Sequence, residues 1–242
     1  MRALTHDGVF HADDVFAGAM LRLMDPGCEI IRSRDPKIIE ASDIVYDVGG
    51  KFDGGRWFDH HHFRKDTSDG TEGYARPNGV RYSSAGQVWL AYGARVVSTV
   101  LEGATLPGEW IPRIVTKVDL ELVASIDAID NGQPLAMDPR PRFEGVVTGS
   151  LSRAISSLNP TWDEVGVRQF NGAYFEALAL AKMVLERTIR SAYSALKACS
   201  IVEDAARKAP DPRIVVLDRF LPWSDVLSSE SFDQVLFVAF PA

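Results

Sequence analysis

Short apolar runs that end in Gly or Asp alternate with a stretch of helical spacing through the first sixty residues. Residues 2–5, 29–32, 43–47 and 56–58 are such runs, and their length and boundaries predict β-strands. Between the first two, Val15, Phe16, Ala19, Met20 and Leu23 repeat at helical spacing within residues 12–24. Asp13 and Asp14 fall in the first turn of that helix, where the backbone dipole favours negative charge. Strand, helix, strand in this order predicts an α/β fold with a parallel sheet.

Residues 65–81 are polar and Gly-rich without periodicity, and read as a long surface loop. Ser83 and Ser84 are candidate caps for a helix over 85–92. A further helical pattern covers 114–130 and stops at Asn131-Gly132 and Pro134. Residues 133–144, with Pro134, Pro139 and Pro141, read as an irregular connection. From 163 to 207 the apolar positions Phe170, Tyr174, Ala177, Leu178, Ala181, Leu185, Ile189, Ala192 and Leu196 predict a long bridging helix, with room for one break. Residues 213–217 and 234–240 predict two closing strands. The expected layout is a catalytic domain over 1–145, a helical segment over 146–208, and part of a small α+β domain over 209–242.

The 242 residues are 46% hydrophobic, enough to build a core. A net charge of −7, from 33 acidic and 26 basic residues, excludes the broad positive field of a duplex-DNA binder, so any nucleic-acid contact is local. Cys28 and Cys199 are the only cysteines and lie far apart, which argues against a disulfide framework and a thiolate zinc site. No apolar run reaches the length of a membrane span, and the first residues read as a strand rather than a signal peptide; the expected compartment is the cytoplasm.

All five histidines precede position 63, in two clusters beside aspartates: His6 and His11 with Asp13 and Asp14, and His60, His61 and His62 with Asp59. A lone His or a helix-start Asp is ordinarily a cap or a solvated group. Every His standing beside Asp points instead to divalent-cation binding. His6, His11 and Asp13 follow the first strand and Asp47 ends the third, at the edge where open parallel sheets bind ligands. Val48-Gly49-Gly50 lets the chain turn sharply there. Asp59, His60 and His61 are further candidates. Asp127 and Asp130 share a helix face, and either completes the set. Imidazole and carboxylate without thiolate suit Mn²⁺, Mg²⁺, Fe²⁺ or Co²⁺ better than structural zinc. Three adjacent histidines cannot all face one site, so His62 is read as a supporting or exposed group and Asp14 as a helix-start carboxylate. Arg64, Lys65, Arg76 and Arg81 near the second cluster, and Ser83 and Ser84 at a helix start, are candidates for gripping substrate phosphate.

The segments Thr5-His6-x-Gly8-x-Phe10-His11-Ala12-Asp13-Asp14, Asp47-Val48-Gly49-Gly50, Phe58-Asp59-His60-His61, Ser83-Ser84-Ala85-Gly86 and Ile126-Asp127-Ala128-Ile129-Asp130-Asn131-Gly132, in this order, resemble the melanocyte proliferating gene family. That family of metal-dependent nucleases is a branch of the DHH phosphoesterase superfamily. The likeness runs through Pro222-Trp223 to Leu236-Phe237-Val238. It implies a DHH-type N-terminal domain and two divalent cations, typically Mn²⁺, with Mg²⁺ or Co²⁺ as alternatives. The implied ligands are His6, His11, Asp13, Asp47, His60 and one of Asp127 and Asp130, with Asp47 bridging. His61 is implied at the phosphate end, touching substrate or protonating the leaving oxygen. The implied activity is 3′→5′ exonucleolytic hydrolysis of RNA. Asp7 stands where the family commonly has Asn or Ser, and His62 where it commonly has Gln. Family members usually continue past the last strand, so the C-terminal domain is expected to be truncated. Two other readings fit the residues: a hydrolase of small phosphates such as short oligonucleotides or pyrophosphate, and a metal-binding module without catalysis.

Overall fold

The four apolar runs of the first sixty residues pair side by side, all parallel. β1 (Arg2–Thr5), β2 (Glu29–Arg32), β3 (Ile44–Tyr46) and β4 (Trp57–Phe58) stand in the order β2-β1-β3-β4. Leu4 of β1 lies between Ile31 and Val45, and Tyr46 of β3 is opposite Phe58. The structure is a computed structural model that describes residues 1–61, 74–137, 144, 146–147, 149–164 and 169–241. Because β1 leads to β2 on one side while β3 lies on the other, the connections leaving the carboxyl ends of β1 and β3 diverge. Such a switch point opens a crevice at that edge. His6 follows β1 directly, and Asp47 follows β3.

Helix α1 (Ala12–Met24) is buried at every position except Arg22, which is the mark of a helix enclosed on all sides. Small residues on it permit close approach. A Cβ on Gly18 would lie 2.7 Å from the Tyr174 hydroxyl and 2.9 Å from that of Tyr46, and these two buried phenols hydrogen-bond each other at 2.9 Å. Helix α2 (Pro36–Glu40) is a short connector, begun by a Pro in its first turn and capped by the Asp35 side chain accepting from the Lys37 N–H. Helix α3 (Ser84–Val100) packs against α1. It runs past the expected end at 92, through Gly93, where a Cβ would lie 3.0 Å from the Trp89 ring.

The helical pattern expected over 114–130 begins earlier and changes its pitch once. It comprises α4 (Trp110–Val118), a π-helical turn (Asp119–Val123) and α5 (Ala124–Asp130). One extra residue in the π turn rotates everything after it by about 100° relative to an uninterrupted α-helix. Helix α6 (Leu151–Ser156), capped by the Ser150 hydroxyl, falls within the helical segment expected over 146–208, ahead of the long helix. Of the three prolines that suggested irregularity, Pro139 and Pro141 lie outside the described residues. Helix α7 (Phe170–Lys208) is unbroken and 39 residues long, and it starts seven residues later than the expected 163. Ala173, Tyr174, Ala177, Leu178, Ala181, Leu185 and Ile189 form its buried stripe.

Two compact units emerge, Met1–Ile189 and Arg190–Ala242. Their division lies inside α7. The second unit combines the end of α7 with β5 (Ile214–Val216), α8 (Ser224–Leu227), a 3-10 turn (Glu230–Phe232) and β6 (Phe237–Ala239). β5 and β6 pair in parallel, with Val215 opposite Val238. Val202, Ala206, Val215, Leu217, Val226, Leu227 and Phe232 form the core of this unit. Among the described residues, no helix is long and apolar enough to cross a membrane.

Two glycines give opposite outcomes for the same substitution. Gly18→Ala drives a methyl into two phenols that have nowhere to go; overpacking of about 1–3 kcal/mol outweighs a helix-propensity gain of about 1 kcal/mol, so the protein is destabilised. Gly172→Ala, in α7 with no described atom within 4 Å, is stabilised by about 0.4–1 kcal/mol. Urea unfolding of both variants measures the signs; equal stability of Gly18→Ala and the parent protein would show that the α1 interface is loosely packed.

Candidate metal centre

The loop from β1 to α1 is held from three sides. Gly8, at φ +82°, reverses the chain, and its carbonyl accepts from the Arg32 guanidinium at 2.7 Å. The Asn159 carboxamide accepts from the Phe10 N–H at 3.0 Å and donates to the Phe10 carbonyl at 2.9 Å. His6 and His11 are thereby fixed at the ends of a rigid loop, with Asp13 and Asp14 on the first turn of α1. The Asp14 carboxylate accepts from the His11 N–H at 2.8 Å, in the manner of a helix-start acid.

Asp47 is the hub. It has φ +54°, the one non-glycine residue in the left-handed region among those described; Asp tolerates that conformation better than most side chains. Its Oδ2 lies 3.2 Å from His6 Nε2. Its Oδ1 accepts from the Ser84 hydroxyl at 2.9 Å and lies 3.4 Å from His60 Nε2 and 3.6 Å from His61 Nδ1. His60 Nε2 is also 3.1 Å from Asp130 and 3.7 Å from Asp13, while His6 Nε2 is 3.6 Å from Asp14. Asp59 turns away from this centre to order its neighbours: it accepts from the Gly50 N–H at 2.6 Å and lies 2.7 Å from His61 Nδ1.

Three groups of side chains can each present ligand atoms to one cation: His6, Asp14 and Asp47; Asp47, His60 and His61; and His11, Asp13 and Asp130. Burial raises the Asp13 carboxyl well above the carboxylate range, and the charges of Asp47 and Asp130 push the same way. Asp13 is fully buried, and neither of its oxygens receives a hydrogen bond from a described residue. Burial, then the Asp47 charge, raises Asp14 to about 7. Burial works against ionised Asp47 too, but bonds with His6 and His60 prevail and hold it well below the usual range. For His60, burial is outweighed by Asp130 and Asp47, which raise it to about 10. His61, with an exposed side chain, is raised chiefly by its bond to Asp59.

Other candidates stand elsewhere. The Asp127 carboxylate, fully buried, accepts from the Ser83 hydroxyl at 2.5 Å and the Gly86 N–H at 3.0 Å, and it pairs with Arg76 at 2.7 Å. Ser83 and Ser84 are likewise fully buried, each with its hydroxyl donated to a carboxylate. Arg81 donates to the Asn131 carbonyl at 2.8 Å. His62, Arg64 and Lys65 lie outside the described residues. The sequence reading gave no structural task to Arg76 or Asn159. Their partners are 51 and 149 positions away, and no local pattern signals them.

Without cations, proton-linked stability of this centre falls as pH rises above about 6. His60, raised from 6.5 to about 10, contributes stability that is complete below pH 6.5 and lost as pH rises through about 10. Asp14, raised from 3.8 to about 7, contributes stability that is complete below 3.8 and lost through about 7. The thermal midpoint of chelator-treated protein is expected to fall between about pH 6 and about pH 8.5, and added Mn²⁺ to raise it more at the higher pH, because the cation replaces protons. Thermal unfolding with EDTA or Mn²⁺ at the two pH values checks this; a Mn²⁺ effect independent of pH would contradict it.

Comparison with known proteins follows the same residues. The model of the MYG1 exonuclease family, described as an uncharacterised protein family (UPF0160), matches residues 2–242. The MYG1 protein of Schizosaccharomyces pombe is 34% identical over 233 residues, which cover 92% of this chain and 68% of that protein. The MYG1 exonucleases of Bos taurus and Homo sapiens are each 32% identical over 234 residues, covering 92% of this chain and 60% and 61% of theirs. The chain thus spans about three fifths of the mammalian relatives. No solved structure matches it. With the match running over nearly its whole length, this chain belongs to the MYG1 exonuclease family.

Proposed function

We propose that this protein is a metal-dependent phosphodiester hydrolase of the DHH type, acting as a 3′→5′ exonuclease on RNA. The observation that carries the reading is Asp13, a buried carboxyl group whose two oxygens accept no hydrogen bond from a described residue, in a crevice already holding Asp14 and Asp47. Desolvated like charges without partners are costly, and bound cations remove that cost. The donor set of imidazoles and carboxylates fits divalent cations such as Mn²⁺, Mg²⁺ or Co²⁺. His6, His11, Asp13, Asp47, His60 and Asp130 would hold two of them, with Asp47 shared. Asp130 is chosen over Asp127 because its carboxylate is the one beside His60, whereas that of Asp127 is taken up by Ser83, Gly86 and Arg76. The relatives named exonucleases support hydrolysis of nucleic acid; RNA and the 3′→5′ direction come from the resemblance of the motifs.

Cations bound there supply charge that lowers the pKa of an attacking water and neutralises the phosphoryl oxygens. The protein's own groups do the rest. Ser84 fixes the rotation of the Asp47 carboxylate by donating to its Oδ1. Asp59 holds His61 by Nδ1 and favours its protonated form. That leaves Nε2 of this exposed ring to carry the proton delivered to the leaving 3′ oxygen as its bond to phosphorus breaks.

The test uses 5′-labelled RNA with Mn²⁺, run beside a dinucleotide and pyrophosphate. A ladder shortening from the 3′ end is expected from the parent protein. Asp47→Asn, which keeps a side chain tolerant of the left-handed backbone, should lower the rate by more than about 100-fold without unfolding the chain. His61→Ala should lower kcat by about 10²–10⁴ while Mn²⁺ affinity stays close to that of the parent. Full turnover by Asp47→Asn would remove the mechanism, and hydrolysis confined to pyrophosphate would replace the substrate.

A further inference from the structure

We propose that Arg76 is the positioning residue of this centre, acting through Asp127 to set two of its walls at once; this rests on the metal-centre reading above. Arg76 is buried between two carboxylates. Its Nε and Nη2 donate to the two oxygens of Asp119 at 2.7 and 2.6 Å, and its Nη1 lies 2.7 Å from Asp127 Oδ2. Its guanidinium also lies over the Tyr82 ring, 4.2 Å from the centroid.

From Asp127 the connection divides. Through Oδ1, Asp127 accepts from Ser83 and from the Gly86 N–H, which clamps the first turn of α3. The next side chain in that turn is Ser84, the donor to Asp47 at 2.9 Å. The fit is close enough that a Cβ on Gly86 would fall 1.9 Å from Asp127 Oδ2. Along α5, Asp130 lies three residues beyond Asp127 and is 3.1 Å from His60. Asp119, the other partner, is the first residue of the π turn that sets the facing of α5. One guanidinium therefore fixes the start of α3, the π turn and α5 together. Removing it leaves Asp127 buried without a countercharge, and that carboxylate must then take a proton or move, shifting Ser84 and Asp130 with it.

The experiment measures Mn²⁺ dissociation constants by calorimetry on chelator-stripped protein, well below the thermal midpoint, with circular dichroism confirming the fold. Arg76→Met is expected to weaken Mn²⁺ binding by roughly 10- to 100-fold, the usual effect of losing a group that orients metal ligands. The double variant Arg76→Met with Asp127→Asn removes both charges and keeps an acceptor for Ser83 and Gly86; it should recover affinity to within roughly threefold of the parent. A merely structural role would lower the thermal midpoint without moving affinity. If Arg76→Met does not fold, Arg76→Gln serves in its place with the same expected loss of affinity, since it also removes the charge and keeps a polar head for Asp119. Unchanged Mn²⁺ affinity in the single variant overturns the role of Arg76 alone. Failure of the double variant to recover shows that Arg76 does not act through Asp127, and overturns it as well. A parent protein that binds no Mn²⁺ overturns the metal centre, and this inference with it.

Discussion

Like charge concentrated out of water is the constraint on which the rest depends. Asp13, Asp14 and Asp47 are buried at one edge of the sheet, and the basic groups that face them include the imidazoles of His6, His60 and His61. Protons can answer that repulsion in part, which is why His60 is raised to about 10 and Asp14 to about 7. Protonated imidazole compensates Asp47 well because both of its oxygens have partners. Asp13 accepts no hydrogen bond from a described residue, and an ion of higher charge meets the need better than a proton.

The fold brings this about with short means. Parallel strands place all their carboxyl ends on one edge, and the order β2-β1-β3-β4 makes the loops after β1 and β3 part company there. A two-residue β4 is enough to carry Asp59, His60 and His61 to the same edge. Burial of α1 on all sides then holds Asp13 and Asp14 rigidly at its start, since a helix enclosed by α3 and the phenols of Tyr46 and Tyr174 has no freedom to tilt. Stability and site geometry are thus two consequences of the same packing.

Two kinds of carboxylate stand close in sequence yet act differently. Asp130, partly open to the crevice, faces His60. Asp127 is sealed among a hydroxyl, an amide and a guanidinium. Its pKa is raised to about 6 by burial even with Arg76 countering, so it is poised to respond when that partner is lost. A buried carboxylate with three partners orders its surroundings, whereas one that accepts no hydrogen bond from a described residue calls for a ligand.

The sequence by itself determined much of the framework. Alternating runs and one helical stretch were enough for the parallel sheet and α1, because period and turn residues are local properties. The donor types were legible too, since every His stands beside Asp. Tertiary structure decided the rest. That Asp130 rather than Asp127 faces His60 is set by packing, and the π turn before α5 leaves no mark on the apolar pattern. Ser83 looked like a cap and instead donates to a carboxylate 44 positions away. The pairing of Arg76 with Asp119 and Asp127, and of Asn159 with Phe10, likewise joins distant parts of the chain. Local spacing records which groups are present and along which face they lie; which of them meet is set only when long-range packing closes the chain on itself.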